Sequence, residues 1–352
     1  MLTIPPYMTL SSLLVNAIRR HGDRPAITCN DFTISYTDLD KKSDILANAL
    51  RSYGIGTDDV VALHLKNSIE YVIADIAILK LGATKCPLNE LMSANELGYC
   101  ITHANAKILI RHNSLPVPEY ETNKERPSIT VNDTPDREVS TELQWDAVLK
   151  NAQHTHPLSA LDTVPPDSRA VMSYTGGTTG KPKCVVHTQE RLAINLLAHI
   201  VCGDIRSDEV MLLTTPLPHS AGYHMQGCLY SGGQIVLSQK FSPDQMLTIC
   251  QKMKVTWTFA VPTMLYRLFD AISESATAPD SLRTIVYGAA PMSQDRLEQG
   301  LEIFGPIFIQ LYGQTECPNY ISTLSKQDHL DTDLLRSCGR PVPFCDVLLL
   351  DE

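Results

Sequence analysis

The residues Ser173 to Lys183 read Ser-Tyr-Thr-Gly-Gly-Thr-Thr-Gly-Lys-Pro-Lys, a concentration of glycines, hydroxyls and lysines. Glycine lets backbone N–H groups approach a ligand closely and turn through positive φ. Successive N–H groups of this kind form anion-binding nests, to which hydroxyls and lysines add donors and charge. The loop therefore suits a polyphosphate. A Walker A loop, Gly-x-x-x-x-Gly-Lys-[Ser/Thr], would need a glycine at Thr175 and a hydroxyl at Pro182. The flanks differ too, since Ala170-Val171-Met172 and Cys184-Val185-Val186 both predict short strands, whereas a Walker loop runs from strand into helix. A Gly/Thr-rich hairpin turn is the plain alternative, but a simple turn has no need of two lysines.

A second constellation, Gln310-Leu311-Tyr312-Gly313-Gln314-Thr315-Glu316, directly follows the apolar run Ile307-Phe308-Ile309. A glycine turn at a strand end presents the Thr315 hydroxyl beside the Glu316 carboxylate, and Mg2+ prefers carboxylate and phosphate oxygens. Read alone, Thr-Glu after a turn is also a common helix start. Between the two constellations lie Pro216-Leu217-Pro218-His219 and Tyr287-Gly288-Ala289-Ala290-Pro291-Met292. The stretch Val210 to Gln239 contains no Asp, Glu, Lys or Arg. It fits a buried core segment. Its small residues Ser220, Ala221, Gly222 and Gly227, around His219 and Tyr223, equally fit a pocket wall with room for an apolar ligand. Val261-Pro262-Thr263, just past a predicted strand, is a second candidate wall.

Positioning these groups requires strand ends, and the chain supplies them in an alternating α/β beat. Thr37 to Tyr53 predicts a helix with Leu39, Leu46, Ala49, Leu50 and Tyr53 on one face and Gly54 as its stop. Val60 to Leu63 predicts a strand, Ser68 to Leu81 a helix, and Thr84 to Cys86 a strand. Ser93-Ala94-Asn95-Glu96 is a capping box opening another helix, and Lys107 to Ile110 is the next strand. Residues 112–137, rich in Pro, Asn, Glu and Asp, predict an exposed excursion. The beat resumes with strands at Val210–Leu213, Gln234–Leu237, Trp257–Ala260, Thr284–Tyr287 and Ile307–Leu311. Helices at Pro243–Met253, Thr263–Ile272 and Ser293–Phe304 separate them. Strands alternating with helices imply parallel sheets covered by helices, with ligands at the carboxyl ends of the strands.

Bulk properties narrow the class. With 352 residues, 43% of them hydrophobic and 19% charged, the chain can bury a large core. A net charge of −10 without a Lys/Arg cluster argues against nucleic acid. The N-terminus lacks a basic-then-apolar leader, and the longest apolar candidate, Leu192–Cys202, includes Asn195 and His199 and is too short to span a bilayer. Ten cysteines without paired spacing fit reduced thiols in a cytoplasmic protein and make a zinc site improbable. No feature of the sequence sets an oligomeric state.

Together the motifs resemble those of the acyl-adenylate-forming (AMP-binding) enzymes: acyl- and aryl-CoA synthetases, peptide-synthetase adenylation domains and luciferase. Ser173–Lys183 resembles the phosphate loop Tyr-Thr-Ser-Gly-Thr-Thr-Gly-x-Pro-Lys-Gly-Val, departing at Gly176 for the serine and at Cys184 for the glycine. Tyr312–Glu316 resembles Tyr-Gly-x-Thr-Glu, Pro216–His219 the histidine-bearing motif near the acyl site, and Tyr287–Met292 the segment against adenine. The resemblance implies two parallel sheets flanked by helices with a smaller β region, in subdomains of roughly 1–170 and 171–330, with 331–352 beginning the β region. It implies catalytic roles for Thr175, Lys183, His219, Thr315 and Glu316, with Thr175 and Glu316 on Mg2+. It places ATP against Thr175, Gly176, Gly177, Thr178, Thr179, Gly180 and Lys183, against Gly288, Ala289, Ala290 and Pro291, and against Gln310, Leu311, Tyr312, Gly313, Gln314 and Thr315. It places the acid against His219, Gly222, Tyr223, Val261, Pro262 and Gly288. A small carboxylic acid would be activated with ATP and Mg2+ to acyl-AMP, then passed to coenzyme A. A stand-alone domain loading a carrier-protein thiol and a non-catalytic nucleotide- or acyl-binding fragment remain alternatives. The ribose-binding Thr-Gly-Asp motif does not occur, no lysine follows Lys326, and Cys345–Glu352 reads as a strand cut in mid-course. The expectation is therefore a large N-terminal domain without its lysine-bearing C-terminal domain, binding acyl-AMP but turning over slowly.

Overall fold

The computed structural model describes residues 8–120, 127–132, 143–152, 164–176, 181–274 and 277–350. Contacts divide the chain into two units. The first comprises Met1–Arg24, Ile34–Ala193 and Pro216–His219, the second Pro25–Thr33, Ile194–Thr215 and Ser220–Glu352.

The first unit is built on a seven-stranded sheet in the order Leu143–Gln144, Ser128–Val131, Ile108–His112, Val60–His64, Thr84–Pro87, Arg169–Thr175 and Lys183–Thr188. All pairings are parallel except the last, which is antiparallel. Because Arg169–Thr175 pairs with Thr84–Pro87, both strands of the glycine loop belong to this sheet, and the unit runs on past residue 170 to Ala193. The helix Ile69–Lys80 is apolar nearly all round, which is why it is buried along almost its whole length. Two of its charges are buried and paired: Lys80 Nζ lies 2.5 Å from Asp40 and 2.7 Å from Asp44, and Asp75 lies 2.6 Å from Lys85 Nζ. Ser93 and Glu96 form the expected capping box, and Ser68 caps Ile69–Lys80 by accepting from Tyr71 N–H.

The second unit holds a nine-stranded sheet in the order Arg340–Pro341, Cys317–Leu324, Phe308–Gln314, Thr284–Tyr287, Trp257–Ala260, Val210–Leu213, Gln234–Leu237, Pro25–Cys29 and Phe32–Ser35. Its interior is parallel, while Phe308–Gln314, Cys317–Leu324 and Arg340–Pro341 pair antiparallel at one edge. A core of Leu212, Leu265, Phe269, Ile285, Tyr287 and Phe308 packs the helices Pro243–Met253, Pro262–Glu274 and Gln294–Phe304 against it.

Three expectations are corrected. Each sheet is mixed rather than purely parallel, because a hairpin closes one edge of each. The stretch 112–137 is not wholly an exposed excursion: Ser128–Val131 is a largely buried strand paired with Ile108–His112, its short β-branched core masked in the sequence by polar flanks. Cys345–Leu350 forms no strand among the described residues, and Leu348, Leu349 and Leu350 are exposed. No helix among the described residues is long and apolar enough to cross a membrane.

Candidate active site

In the first unit the glycine loop is carried by a hairpin. Ser173 pairs with Val185, Tyr174 with Cys184, and Thr175 with Lys183, so Thr175 and Lys183 face each other at the mouth of the loop. Alternation along the strand turns Tyr174 inward, where its hydroxyl lies 2.8 Å from His103 Nδ1, and leaves Thr175 half-buried and Gly176 exposed. Residues 177–180, which include Gly177, Thr178, Thr179 and Gly180, lie outside the described residues. Both lysines are exposed, and Lys181 Nζ stands 5.6 Å from the centre of the Tyr99 ring. Cys184 packs with Cys86, Cys100 and Leu97. Burial pushes the Cys86 thiol well up, Cys100 to about 12 and Cys184 upward, so these are protonated packing groups rather than nucleophiles.

His219 also belongs to the first unit, and two asparagines hold its segment. Asn67 Oδ1 accepts from Leu217 N–H at 2.9 Å. Asn89 Oδ1 accepts from Leu91 N–H at 2.9 Å, which turns its Nδ2 onto His219 Nε2 at 2.8 Å. A neutral His219 accepting there carries its proton on Nδ1. The backbone of His219 (φ −114, ψ −148) breaks the helical run around it and presents an exposed ring. The sequence alone points to neither Asn67 nor Asn89. Their signal is faint, an asparagine shortly after a buried strand.

In the second unit the adjacent parallel strands Trp257–Ala260, Thr284–Tyr287 and Phe308–Gln314 end at one edge of the sheet. That edge brings together Val261 and Pro262, the Gly288–Pro291 segment and Tyr312–Glu316. A Cβ on Gly288 would lie 2.5 Å from Leu311 Cδ1 and 2.6 Å from its carbonyl oxygen, so only glycine lets the two segments approach this closely. Ala289 takes φ +65, and Ala289, Ala290 and Pro291 are exposed beyond it. Gln310 pairs with Tyr287; Tyr312 and Gln314 are exposed, and Gly313 and Thr315 are half-buried. Thr315 and Glu316 form the two-residue tip closed by the Gln314–Cys317 pair, with Glu316 exposed. The helix-start alternative for Thr-Glu is excluded, since a strand follows. Gly222 and Tyr223 open the helix Gly222–Ser231, and the Tyr223 ring lies 5.8 Å from that of His199.

Among the described residues no group of three or more His, Cys, Asp or Glu side chains is placed to hold a metal. An exposed Glu316 carboxylate next to a hydroxyl suits Mg2+, which commonly binds through one or two carboxylates plus substrate phosphates rather than in a protein cage.

A family model described as AMP-binding enzyme matches residues 14–352. Among similar proteins, a medium/long-chain-fatty-acid–CoA ligase of Mycobacterium tuberculosis is 32% identical over 348 residues, covering 97% of this chain and 60% of the relative. A 2-succinylbenzoate–CoA ligase of Bacillus subtilis is 28% identical over 92% of this chain and 62% of its own length. The chain thus spans about three fifths of the length of such relatives. The solved amide bond synthetase McbA of Marinactinospora thermotolerans superposes with a TM-score of 0.80 at 25% identity, over 96% of this chain and 65% of that one.

Proposed function

The chain belongs to the AMP-binding enzyme family, and from that premise we propose that it activates a carboxylic acid with ATP to acyl-AMP, for transfer to coenzyme A. The observation that carries the reading is the hairpin that sets Thr175 opposite Lys183 at the mouth of a glycine-rich loop. From the first unit, the loop N–H groups, the Thr175 hydroxyl and the Lys183 ammonium are assigned to phosphate oxygens, and His219, held by Asn89, to the acid carboxylate. From the second unit, Gly288–Pro291 and Gln310–Tyr312 are assigned to adenine, Thr315 to the α-phosphate and Glu316 to Mg2+. Gly222, Tyr223, Val261 and Pro262 are assigned to the acid's tail. Bound Mg2+ supplies charge neutralisation on the phosphates.

The chemistry asks little proton transfer of the protein. The attacking carboxylate is already anionic at pH 7, so no general base is needed. The chain's own task is to hold the acid and the α-phosphate in line and to stabilise charge on the phosphate oxygens with fixed donors. Support for an apolar fatty or aromatic acid comes from the charge-free stretch Val210–Gln239 and from the CoA ligases among the relatives. The direct test is calorimetry with non-hydrolysable acyl-adenylate analogues of fatty and aromatic acids, alongside acid-dependent pyrophosphate release and thioester formation on coenzyme A. Tighter binding of at least one analogue than of AMP is expected. Binding no better than AMP for every acid would overturn the reading, and a thioester formed only on a carrier protein would replace coenzyme A as acceptor.

The two loop lysines give a sharper check. Lys183→Ala should weaken ATP about 10- to 100-fold and AMP far less, the scale of a lost charge-assisted contact of about 1.5–3 kcal/mol. Lys181→Ala, whose cation is already engaged with Tyr99, should weaken ATP less. Equal ATP affinities of Lys183→Ala and parent would remove Lys183 from the phosphate site.

A further inference from the structure

The hairpin that ends in Thr315 and Glu316 is not an even ladder. Tyr312 pairs with Ser322 but Gln314 with Cys317, so the return strand carries extra residues over this stretch. Asn319 stands in that bulge at φ +65, a conformation asparagine tolerates better than most side chains, and is 5% exposed. A Cβ on Gly313 would lie 2.5–2.7 Å from the backbone C, N and Cα of Asn319, so the Gly313 turn rests directly on the Asn319 backbone.

The Asn319 side chain is itself anchored. Its Nδ2 donates to His199 Nε2 at 2.8 Å and to the Ser220 carbonyl at 3.1 Å, with His224 Nε2 at 3.3 Å. His199 Nδ1–H donates to the Asn195 carbonyl at 2.7 Å, which leaves Nε2 as the acceptor. Asn195 Nδ2 donates to the Pro318 carbonyl at 2.8 Å. Two side chains of the helix Gln189–Cys202 therefore grip two consecutive residues of the bulge. Asn319, His199 and His224 are all buried, a costly arrangement for polar groups that apolar packing would not require.

We propose that Asn319 is the positioning residue of the Thr315–Glu316 turn: its amide, seated on His199 and the Ser220 carbonyl, fixes the bulge on which Gly313 rests and so places the two side chains at the tip. The proposal rests on the reading of Thr315 as a phosphate group and Glu316 as a Mg2+ group. Within the second unit it also ties the tip to Ser220, which lies beside the candidate acid wall at Gly222 and Tyr223.

The informative variant is Asn319→Gly, which removes the side chain with its amide while glycine still permits positive φ. Calorimetry with ATP, in EDTA and in excess Mg2+, reads the turn directly. The variant is expected to bind metal-free ATP somewhat more weakly, through the displaced Thr315 hydroxyl, and in addition to lose about 10- to 100-fold of the Mg2+-dependent gain, the usual effect of removing a residue that orients a metal-binding group. In acid-dependent pyrophosphate exchange, kcat should fall by a similar factor with little change in the KM for the acid. His199→Gln, which can still accept from Asn319, should fall between parent and Asn319→Gly. A folded Asn319→Gly with the parent's response to Mg2+ overturns the proposal alone. A parent whose ATP affinity ignores Mg2+ overturns the reading of Glu316 and the proposal with it. Failure of both variants to fold would make Asn319 a determinant of the fold rather than of the turn, and would also overturn it.

Discussion

Glu316→Gln is expected to lower the adenylation rate about 10²–10³-fold while leaving the protein folded, the scale on which one transition-state charge contact is lost. The variant keeps the size of the side chain and removes only its charge. Glu316 is exposed at the tip of a two-residue turn, so its carboxylate supports little of the fold. The hairpin is held instead by the ladder behind it and by Gly313 lying on Asn319. A large kinetic effect with an unchanged melting temperature is therefore the signature of a charge used on the ligand. The measurement is acid-dependent pyrophosphate exchange at saturating Mg2+. A rate equal to that of the parent would make Glu316 a turn residue and nothing more.

That glutamate could be read from the sequence because its neighbours are local. A glycine after an apolar strand, followed by a hydroxyl and a carboxylate, describes a presented tip without knowledge of the rest of the chain. The same holds for Ser173–Lys183, whose flanking strands and the facing of Thr175 and Lys183 follow from short-range alternation. Legibility ends where partners are distant. The contact that orients His219 comes from Asn89, 130 positions earlier. The grip on Asn319 comes from His199, 120 positions earlier. Periodicity cannot announce such pairs. The run Leu192–Cys202 is apolar but for two polar interruptions, Asn195 and His199, and these are the residues that hold the bulge.

The sheets show a related limit. Alternating helices and strands predict parallel pairing, and the interiors obey. Two of the antiparallel pairs arise from chain reversals at the glycine loop and at the Thr315–Glu316 turn, places where the sequence suggests ligands rather than topology. Ser128–Val131 is illegible for a different reason: four residues are too few to set a period, and Pro, Asn and Glu on either side speak for a loop.

Acid should destabilise this protein well before its carboxylates are titrated. Burial lowers His64 to about 4 and His199 to about 4, and holds His224 well below its usual range. All three are fully buried in the fold, whereas unfolded chains titrate their histidines near 6.5. Between those values the unfolded state binds more protons than the folded one, so stability is full above about pH 6.5 and falls as pH drops through this window. For a histidine moving from about 6.5 to about 4, the loss between pH 7.5 and pH 5 is about 2 kcal/mol. In His199 burial is the cause, opposed by the Nδ1–H bond to the Asn195 carbonyl; Nε2 receives the Asn319 amide, so a second ring proton would also confront a donor. The expected result in urea denaturation is a steep decline from pH 7.5 to pH 5 in the parent and a shallower one in His199→Gln, which has no proton to gain. Identical slopes for the two proteins would mean that His199 is protonated without cost, and that the acceptor role assigned to its Nε2 is wrong.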